Sequence, residues 1–260
     1  MYQQKKSRIG QLLFIAALGV LASNAQSQTA PPKEKEQMYS YISLWSVPRT
    51  KWSAFEKPDA SNQKILDQGV GDGTLIAYGD DVILVHSAEG YTHDSWWSAH
   101  SMAGVLKVLD DFEKLPSTTN GPLASATKHE DHILVSRHYN WRAGTYKDAY
   151  THGASYKLKP SAPDDAVEVL AKNAFEPLLE KLLADGSIVE YEIDDEAIHT
   201  EAPDSFWIYY VAPKAEGLDK VSEALRETLK ANALIGPSFD SMVDETPHRD
   251  YLAHSNATFK

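Results

Sequence analysis

The chain has 260 residues, a formal net charge of −12 at pH 7 and no cysteine. The negative charge repels nucleic acid and anionic lipid, so neither is an expected partner. Without cysteine there are no disulfides, thiolate metal sites or cysteine nucleophiles, and a chain of this length can bury enough apolar surface to fold without them.

The N-terminal 25 residues have the pattern of a secretory signal peptide. Three basic residues precede an apolar stretch from Ile9 to Ala22, and small residues follow at 23–25. We therefore expect residues 1–25 to be removed on export, which leaves a soluble periplasmic or secreted protein with no membrane anchor. The polar, proline-containing residues 26–37 predict a flexible tether.

The first half of the chain predicts six elements, two of them helices. They are strands at 39–47, 74–78, 95–100 and 132–139, with helices at 61–70 and 102–115. Residues 141–153, rich in Tyr, His and Gly, are expected to be a connector.

The second half predicts the same order of elements. It has strands at 154–159, 188–193, 206–211 and 250–256, a long helix between Ser161 and Gly186, and a second helix carrying Leu218, Val221, Leu225 and Leu229. Alternation in the strand at 188–193 predicts that Val189, Tyr191 and Ile193 share one face. Glu190 and Glu192 are then expected on a half-exposed face.

Short sequences recur between the two halves. Residues 72–78 read DGTLIAY and residues 185–191 read DGSIVEY. Further along, DSWW at 94–97 corresponds to DSFW at 204–207. Self-similarity over most of the chain predicts two copies of one module.

The order β-α-β-β-α-β is that of the ferredoxin-like split unit, whose helices cover one face of a four-stranded antiparallel sheet. The other face needs cover, which a second copy can provide. We therefore predict an α+β fold with two tandem ferredoxin-like repeats, at 38–140 and 154–260, and their antiparallel sheets packed face to face.

On this repeat pattern and element order, residues 38–260 resemble the dimeric α+β barrel superfamily in a form duplicated within one chain. The superfamily includes antibiotic-biosynthesis monooxygenase-like proteins, isomerases and haem-binding chlorite dismutase-like proteins. The resemblance implies a barrel and a small-molecule ligand, in a monomer or homodimer. It does not carry one activity, because one fold hosts many chemistries.

Common nucleotide-binding, hydrolase and zinc-protease motifs do not occur in the sequence. HEDH at 129–132 places two histidines three residues apart where a strand begins, and alternate residues of a strand diverge. The sequence therefore predicts neither a metal site nor a cofactor.

Repeated histidines are the candidate catalytic residues. His86 and His199 each follow the second strand of a copy, and Glu201 comes two residues after His199. An imidazole beside a carboxylate can act as a general base at neutral pH. This favours an active pocket in the second copy, whereas the alternative interpretation is that both histidines stabilise turns.

Aromatic residues on the strands are the candidate ligand-binding residues. They are Tyr78, Trp97, Tyr191, Trp207 and Tyr209, with Arg142 at the end of the first copy as an anion-binding group. Large rings on strands also pack in cores. A cavity lined by them would suit a flat, apolar ligand with one or two polar groups.

The sequence thus favours an exported barrel protein that binds a small, partly aromatic organic molecule. Its chemistry would be that of a cofactor-independent oxygenase or isomerase with a histidine base. Two alternatives are a non-catalytic ligand-binding or structural module and a haem-binding protein.

Overall fold

The computed structural model describes residues 35–57, 59–86, 90–115, 125–200 and 204–260. Lys35–Lys260 forms one compact unit. The expected signal peptide, most of the expected tether and Glu201 lie outside the described residues. Among the described helices, none is long and apolar enough to cross a membrane.

Eight strands carry the fold. They are β1 (Met38–Ser46), β2 (Ala77–Ile83), β3 (His93–Ala99), β4 (Lys128–Trp141), β5 (Gly144–Leu158), β6 (Glu190–Ile198), β7 (Ser205–Ala212) and β8 (Val243–Phe259). The helices are α1 (Trp52–Phe55), preceded by a 3-10 turn (Arg49–Lys51), α2 (Ala60–Asp72), α3 (Met102–Glu113), α4 (Ala166–Leu170), α5 (Glu176–Asp185), α6 (Ala215–Ala231) and α7 (Ile235–Met242). A π-helical turn (Ala171–Phe175) joins α4 to α5.

The strands form a closed antiparallel barrel in the order β1-β3-β2-β8-β5-β7-β6-β4, with β4 paired to β1. The first four strands are arranged β4-β1-β3-β2 and the last four β8-β5-β7-β6, so both halves have the same order. The predicted α+β class with antiparallel strands is confirmed.

The two four-stranded sheets are joined edge to edge. Strand β2 pairs with β8 and β4 pairs with β6, so hydrogen bonds connect the sheets at both edges. The expected barrel is therefore present, and it is closed. Closure satisfies the backbone groups that stacked sheets would leave unpaired at their edges.

The expected connector at 141–153 is strand except at Arg142 and Ala143. β5 begins at Gly144, which pairs with Phe259 of β8, and continues between β7 and β8. Strands β4 and β5 are not neighbours in the barrel, so this short link carries the chain across one barrel end.

The two recurrent heptads occupy equivalent settings. Helix α2 ends at Gly73 with φ 86° and α5 ends at Gly186 with φ 80°, a left-handed conformation that favours glycine. The Asp72 carboxylate accepts the Thr74 amide at 2.9 Å, and Asp185 accepts the Ser187 amide at 2.8 Å. Each heptad therefore stops a helix and leads into a strand.

The helices cover the outside of the barrel. In the first half, the outward residues Tyr41, Tyr78 and Trp97 pack with Val105 and Val108 of α3. A larger cluster in the second half joins Tyr191, Phe206 and Ile208 to the leucines of α5. These apolar contacts are the main hydrophobic cores.

A histidine links the α4–α5 region to the barrel wall. Nε2 of His138 on β4 lies 2.7 Å from Glu168 of α4, and its Nδ1 lies 3.1 Å from Glu176 of α5. The side chain of His138 is 8 % exposed.

Candidate functional site

A cluster of five carboxyl groups lies inside the barrel, on three of its strands. Alternate residues of a strand face opposite sides, so the side chains that do not meet the helices point inward. The five acids are Asp81 of β2, Asp94 of β3, and Glu190, Glu192 and Asp194 of β6. Four are at most 8 % exposed, and Glu192 is half-buried and lines a cavity.

The prediction of a half-exposed face for Glu190 and Glu192 is therefore wrong. Both faces of β6 are covered, because the outward residue Tyr191 packs under the helices and the inward residues face a closed barrel. Alternation correctly separated the two faces, but barrel closure buries the acidic one.

The acids face one another and polar neighbours. Asp81 and Asp94 are opposite in the register of β2 and β3, and Asp194 is opposite Trp207 of β7. Glu192 accepts a hydrogen bond from the Ser40 hydroxyl at 2.9 Å.

Several buried polar atoms have no hydrogen-bond partner within the described part of the chain. They are both carboxyl oxygens of Asp81, Asp94 and Asp194, and the hydroxyls of Thr151 and Ser255. The two hydroxyls lie close to Asp81 without meeting hydrogen-bond geometry. Such atoms are costly in a folded protein unless a ligand or water satisfies them.

Burial is the main cause of raised pKa values in this cluster. It raises the pKa of Asp81 to about 7, and the pKa of Glu192 to about 7. The pKa values of Asp94, Glu190 and Asp194 are well above the usual range, first from burial and then from repulsion by neighbouring carboxylates.

Two inward tyrosines share this environment. Burial and the surrounding carboxylates keep the pKa values of Tyr209 and Tyr251 well above the ordinary value, so both phenols stay protonated. No lysine, arginine or histidine is among the described residues that line the cavity next to these acids.

A cavity at one end of the barrel is lined by two acids of this cluster, Glu190 and Glu192. At the strand ends it is lined by Met38, Ala77, Trp141 and Phe259, and deeper by Trp96, Thr151, Glu192, Tyr209 and Tyr251. Its volume is about 30 Å³, which holds about two water molecules.

Two glycines make room for the interior rings. A methyl group at Gly79 would lie 2.6 Å from the Trp96 ring, and one at Gly153 would overlap Tyr251 and lie 2.5 Å from Cε1 of Tyr209. The Tyr209 and Tyr251 rings have their centroids 5.9 Å apart. Glycine at these positions therefore lets aromatic rings line the interior.

The lining does not fit a haem. A haem needs an axial ligand and a wide, flat space, whereas this cavity is small and no histidine is among its described lining residues. The described residues also contain no group of three His, Asp or Glu side chains placed to hold a metal ion.

Both candidate histidines lie away from the cavity lining. The side chain of His199 is 70 % exposed just after β6, with Nδ1 3.5 Å from Glu196. His86 is exposed after β2, and its ring centroid lies 6.0 Å from that of Trp52.

The candidate ligand-binding residues fall into two groups. Tyr209 lines the cavity, and Trp207 packs inside the barrel with Ile42 and Leu134. The others face the helix layer or the barrel end. Tyr78 donates to Asp67 at 2.5 Å, Tyr191 donates to Glu180 at 2.7 Å, Trp97 donates to the Val105 carbonyl at 3.1 Å, and Arg142 donates to the Leu183 carbonyl at 3.2 Å.

Sequence reasoning missed the carboxyl cluster, although a signal was present. Phe206–Val211 is apolar on both faces, which predicts a strand covered on both sides. Strand β6 pairs with β7. Because both faces of β7 are buried, both faces of β6, including the one that carries the acids, are expected to be buried as well.

No protein-family model and no curated relative matches the chain. It is similar in fold to two crystal structures of proteins described as putative monooxygenases. The one from Lactobacillus acidophilus has a TM-score of 0.62 at 12% identity, over 86% of this chain and 97% of that chain. The one from Fusobacterium nucleatum has a TM-score of 0.60 at 8% identity, over 87% of this chain and 95% of that chain.

Proposed function

We propose that the protein binds a small organic molecule inside the barrel and exchanges a proton with it through Glu192. One observation carries this proposal: Glu192 lines the cavity, is held by Ser40 and has a pKa raised by burial to about 7. A carboxyl group with such a pKa is present in both forms at neutral pH, so it can accept a proton and return it.

The reaction class follows from this group and from the fold. Removal of a proton from a C–H or O–H bond of the ligand would leave an anion on the ligand and a neutral carboxylic acid on Glu192. Such a step begins isomerisation and suits cofactor-independent oxygenation. The two structural neighbours described as putative monooxygenases favour an oxygenase-like reaction within this proposal.

A carboxyl base replaces the histidine base suggested by the sequence. His199 and His86 are exposed, whereas Glu192 is at the cavity. A partly aromatic ligand would place its polar end beside Glu192 and its remaining part toward Trp141 and Phe259, where the cavity meets the barrel end.

The binding site is tested with protein purified from its native compartment and analysed by native mass spectrometry. We expect a retained small molecule, with reduced occupancy in Ala77→Leu because the larger side chain fills the cavity wall. Ala103→Leu on the exposed face of α3 is the matched control. Fragment screening by thermal shift supplies a second readout. No retained ligand, together with equal fragment binding by wild type and Ala77→Leu, would contradict the proposal.

We also propose that the two halves arose by tandem duplication. Their identical strand orders and the equivalent turns at Gly73 and Gly186 support this. Halves divided at 142/143 and expressed separately should assemble when mixed, and circular dichroism with size exclusion would detect the complex.

Export of the protein is a further part of the proposal, supported by the pattern of residues 1–25. Cell fractionation with N-terminal sequencing tests it. We expect a mature N-terminus near residue 26 outside the cytoplasm, and an intact N-terminus in the cytoplasm would contradict export.

A further inference from the structure

We propose that the group recognised inside the barrel is the ammonium head of an organic amine, held by the interior carboxylates and the neighbouring aromatic rings. The inference rests on the proposed function, because it takes the barrel interior as the binding site. It adds the chemical class of the ligand.

Charge is the first argument. Five carboxyl groups lie inside one barrel, and no lysine, arginine or histidine is among the described residues that line its cavity. Buried charges are normally paired with opposite charge. A cationic ligand would supply that charge and would be attracted by several carboxylates at once.

The hydrogen-bonding inventory is the second argument. Ionised carboxylates only accept hydrogen bonds, and an ammonium group only donates them. Glu190 and Glu192 line the cavity, and the buried Asp81, whose oxygens lack donors within the described chain, lies beside Thr151 of the same lining. Acceptors for the N–H groups of a primary ammonium therefore surround this space. The Thr151 hydroxyl, 4 % exposed and also without a partner, lines the same cavity.

The aromatic walls are the third argument. Trp96, Tyr209 and Tyr251 line the cavity beside the acids. The faces of such rings attract cations, and desolvation strengthens the attraction. Gly79 and Gly153 leave the space in which these rings lie.

Size limits the head group. A volume of about 30 Å³ accommodates an ammonium or methylammonium group, whereas a bulky quaternary ammonium would displace the rings. The rest of the ligand would extend toward the barrel end near Trp141 and Phe259.

The test is isothermal titration calorimetry of the purified chain with methylammonium chloride at pH 8, at constant ionic strength set with potassium chloride. Methanol is the neutral probe of similar size, and magnesium and calcium chloride are the metal probes. We expect methylammonium to bind, and methanol, magnesium and calcium not to bind. At saturation, methylammonium should raise the Tm of the protein by about 5 °C.

Two variants locate the binding. Glu192→Gln and Asp81→Asn should each weaken methylammonium binding at least tenfold, because each removes a negative charge at nearly constant size. Asp219→Asn on the exposed face of α6 removes the same charge outside the barrel and should leave affinity unchanged. Circular dichroism establishes that each variant is folded.

The outcomes separate this inference from the proposed function. A neutral ligand retained from the native compartment, with no methylammonium binding, would overturn the amine assignment and leave the barrel site intact. Binding of magnesium or calcium instead of methylammonium would likewise overturn it. Equal loss in Asp219→Asn would show that the amine binds to the surface. Absence of any retained ligand, fragment or amine would overturn both.

Discussion

Asp81 on β2 and Asp94 on β3 lie directly opposite each other in the barrel wall, and both are only 1 % exposed. Opposed carboxylates repel each other across a strand pair. The pair therefore favours at least one protonated carboxyl group or a bound cation, and this makes the stability of the empty protein depend on pH.

The first prediction concerns that pH dependence. The pKa of Asp81 is raised to about 7 and that of Asp94 is also raised, so the folded state binds protons that the unfolded state releases from about pH 4 upward. This contribution to stability is fully present below pH 4 and decreases as pH rises, and the part from Asp81 is lost as pH rises through about 7. Asp94→Asn should flatten the profile and stabilise the empty protein at pH 8 by about 1–3 kcal/mol.

Urea denaturation between pH 4 and 8 measures the effect as the difference between wild type and Asp94→Asn. Hydrogen bonds to Lys107 and Lys114 lower the pKa of the surface residue Asp111. Such carboxyl groups make the protein less stable as pH falls, in wild type and variant alike. Their contribution cancels in that difference. A destabilised variant at pH 8 would contradict an uncompensated charge inside the barrel.

The second prediction concerns Gly153. An added methyl group would overlap Tyr251 and crowd Tyr209, so Gly153→Ala should lower stability by about 1–3 kcal/mol and weaken ligand binding. Gly71→Ala is the matched control because a methyl group there meets no atom within 4 Å. In helix α2 it should stabilise by up to about 1 kcal/mol. Chemical denaturation compares both, and equal effects would contradict the packing argument.

The third prediction concerns His138. Since its two ring nitrogens face Glu168 and Glu176, His138→Gln disrupts the hydrogen bonds that link β4 to two helices. We expect a loss of about 1–3 kcal/mol, measured by thermal denaturation at pH 6. His100→Gln, at an exposed histidine, should stay within about 0.5 kcal/mol of wild type. Comparable losses in the two variants would show that the paired carboxylates contribute nothing.

The fourth prediction distinguishes the two candidate bases. Once a substrate is identified, Glu192→Gln should lower kcat by about 10²–10⁴-fold, the usual contribution of a general base. His199→Ala and His86→Ala should leave kcat within about threefold, because both side chains are exposed away from the cavity lining. Steady-state kinetics decide between them, and the opposite ranking would restore the histidine base.

Local patterns in the sequence predicted much of the fold. The glycines after Asp72 and Asp185 indicate helix ends, and the structure places both in the left-handed conformation. The order of strands and helices follows from hydrophobic spacing in each half. Closure of the barrel through β2–β8 and β4–β6 could not be read in this way, because it joins residues far apart in the chain.

The site was predicted less well than the fold. Tyr209 was identified because large rings on a strand indicate a wall or a core, and it lines the cavity. Glu190 and Glu192 were predicted to lie on a half-exposed face, because charged residues at alternate positions of a strand usually face solvent. Whether a strand face is exposed depends on what covers the neighbouring strand. Here the neighbour of β6 is β7, and both faces of β7 are covered.

The position of β8 between β2 and β5 also bears on how the protein folds. β8 is the last of the described strands in the chain, so the edges of β2 and β5 stay unpaired until it docks. A chain without this strand in place exposes aggregation-prone strand edges. The final folding step is therefore expected to be limited by the docking of this one strand.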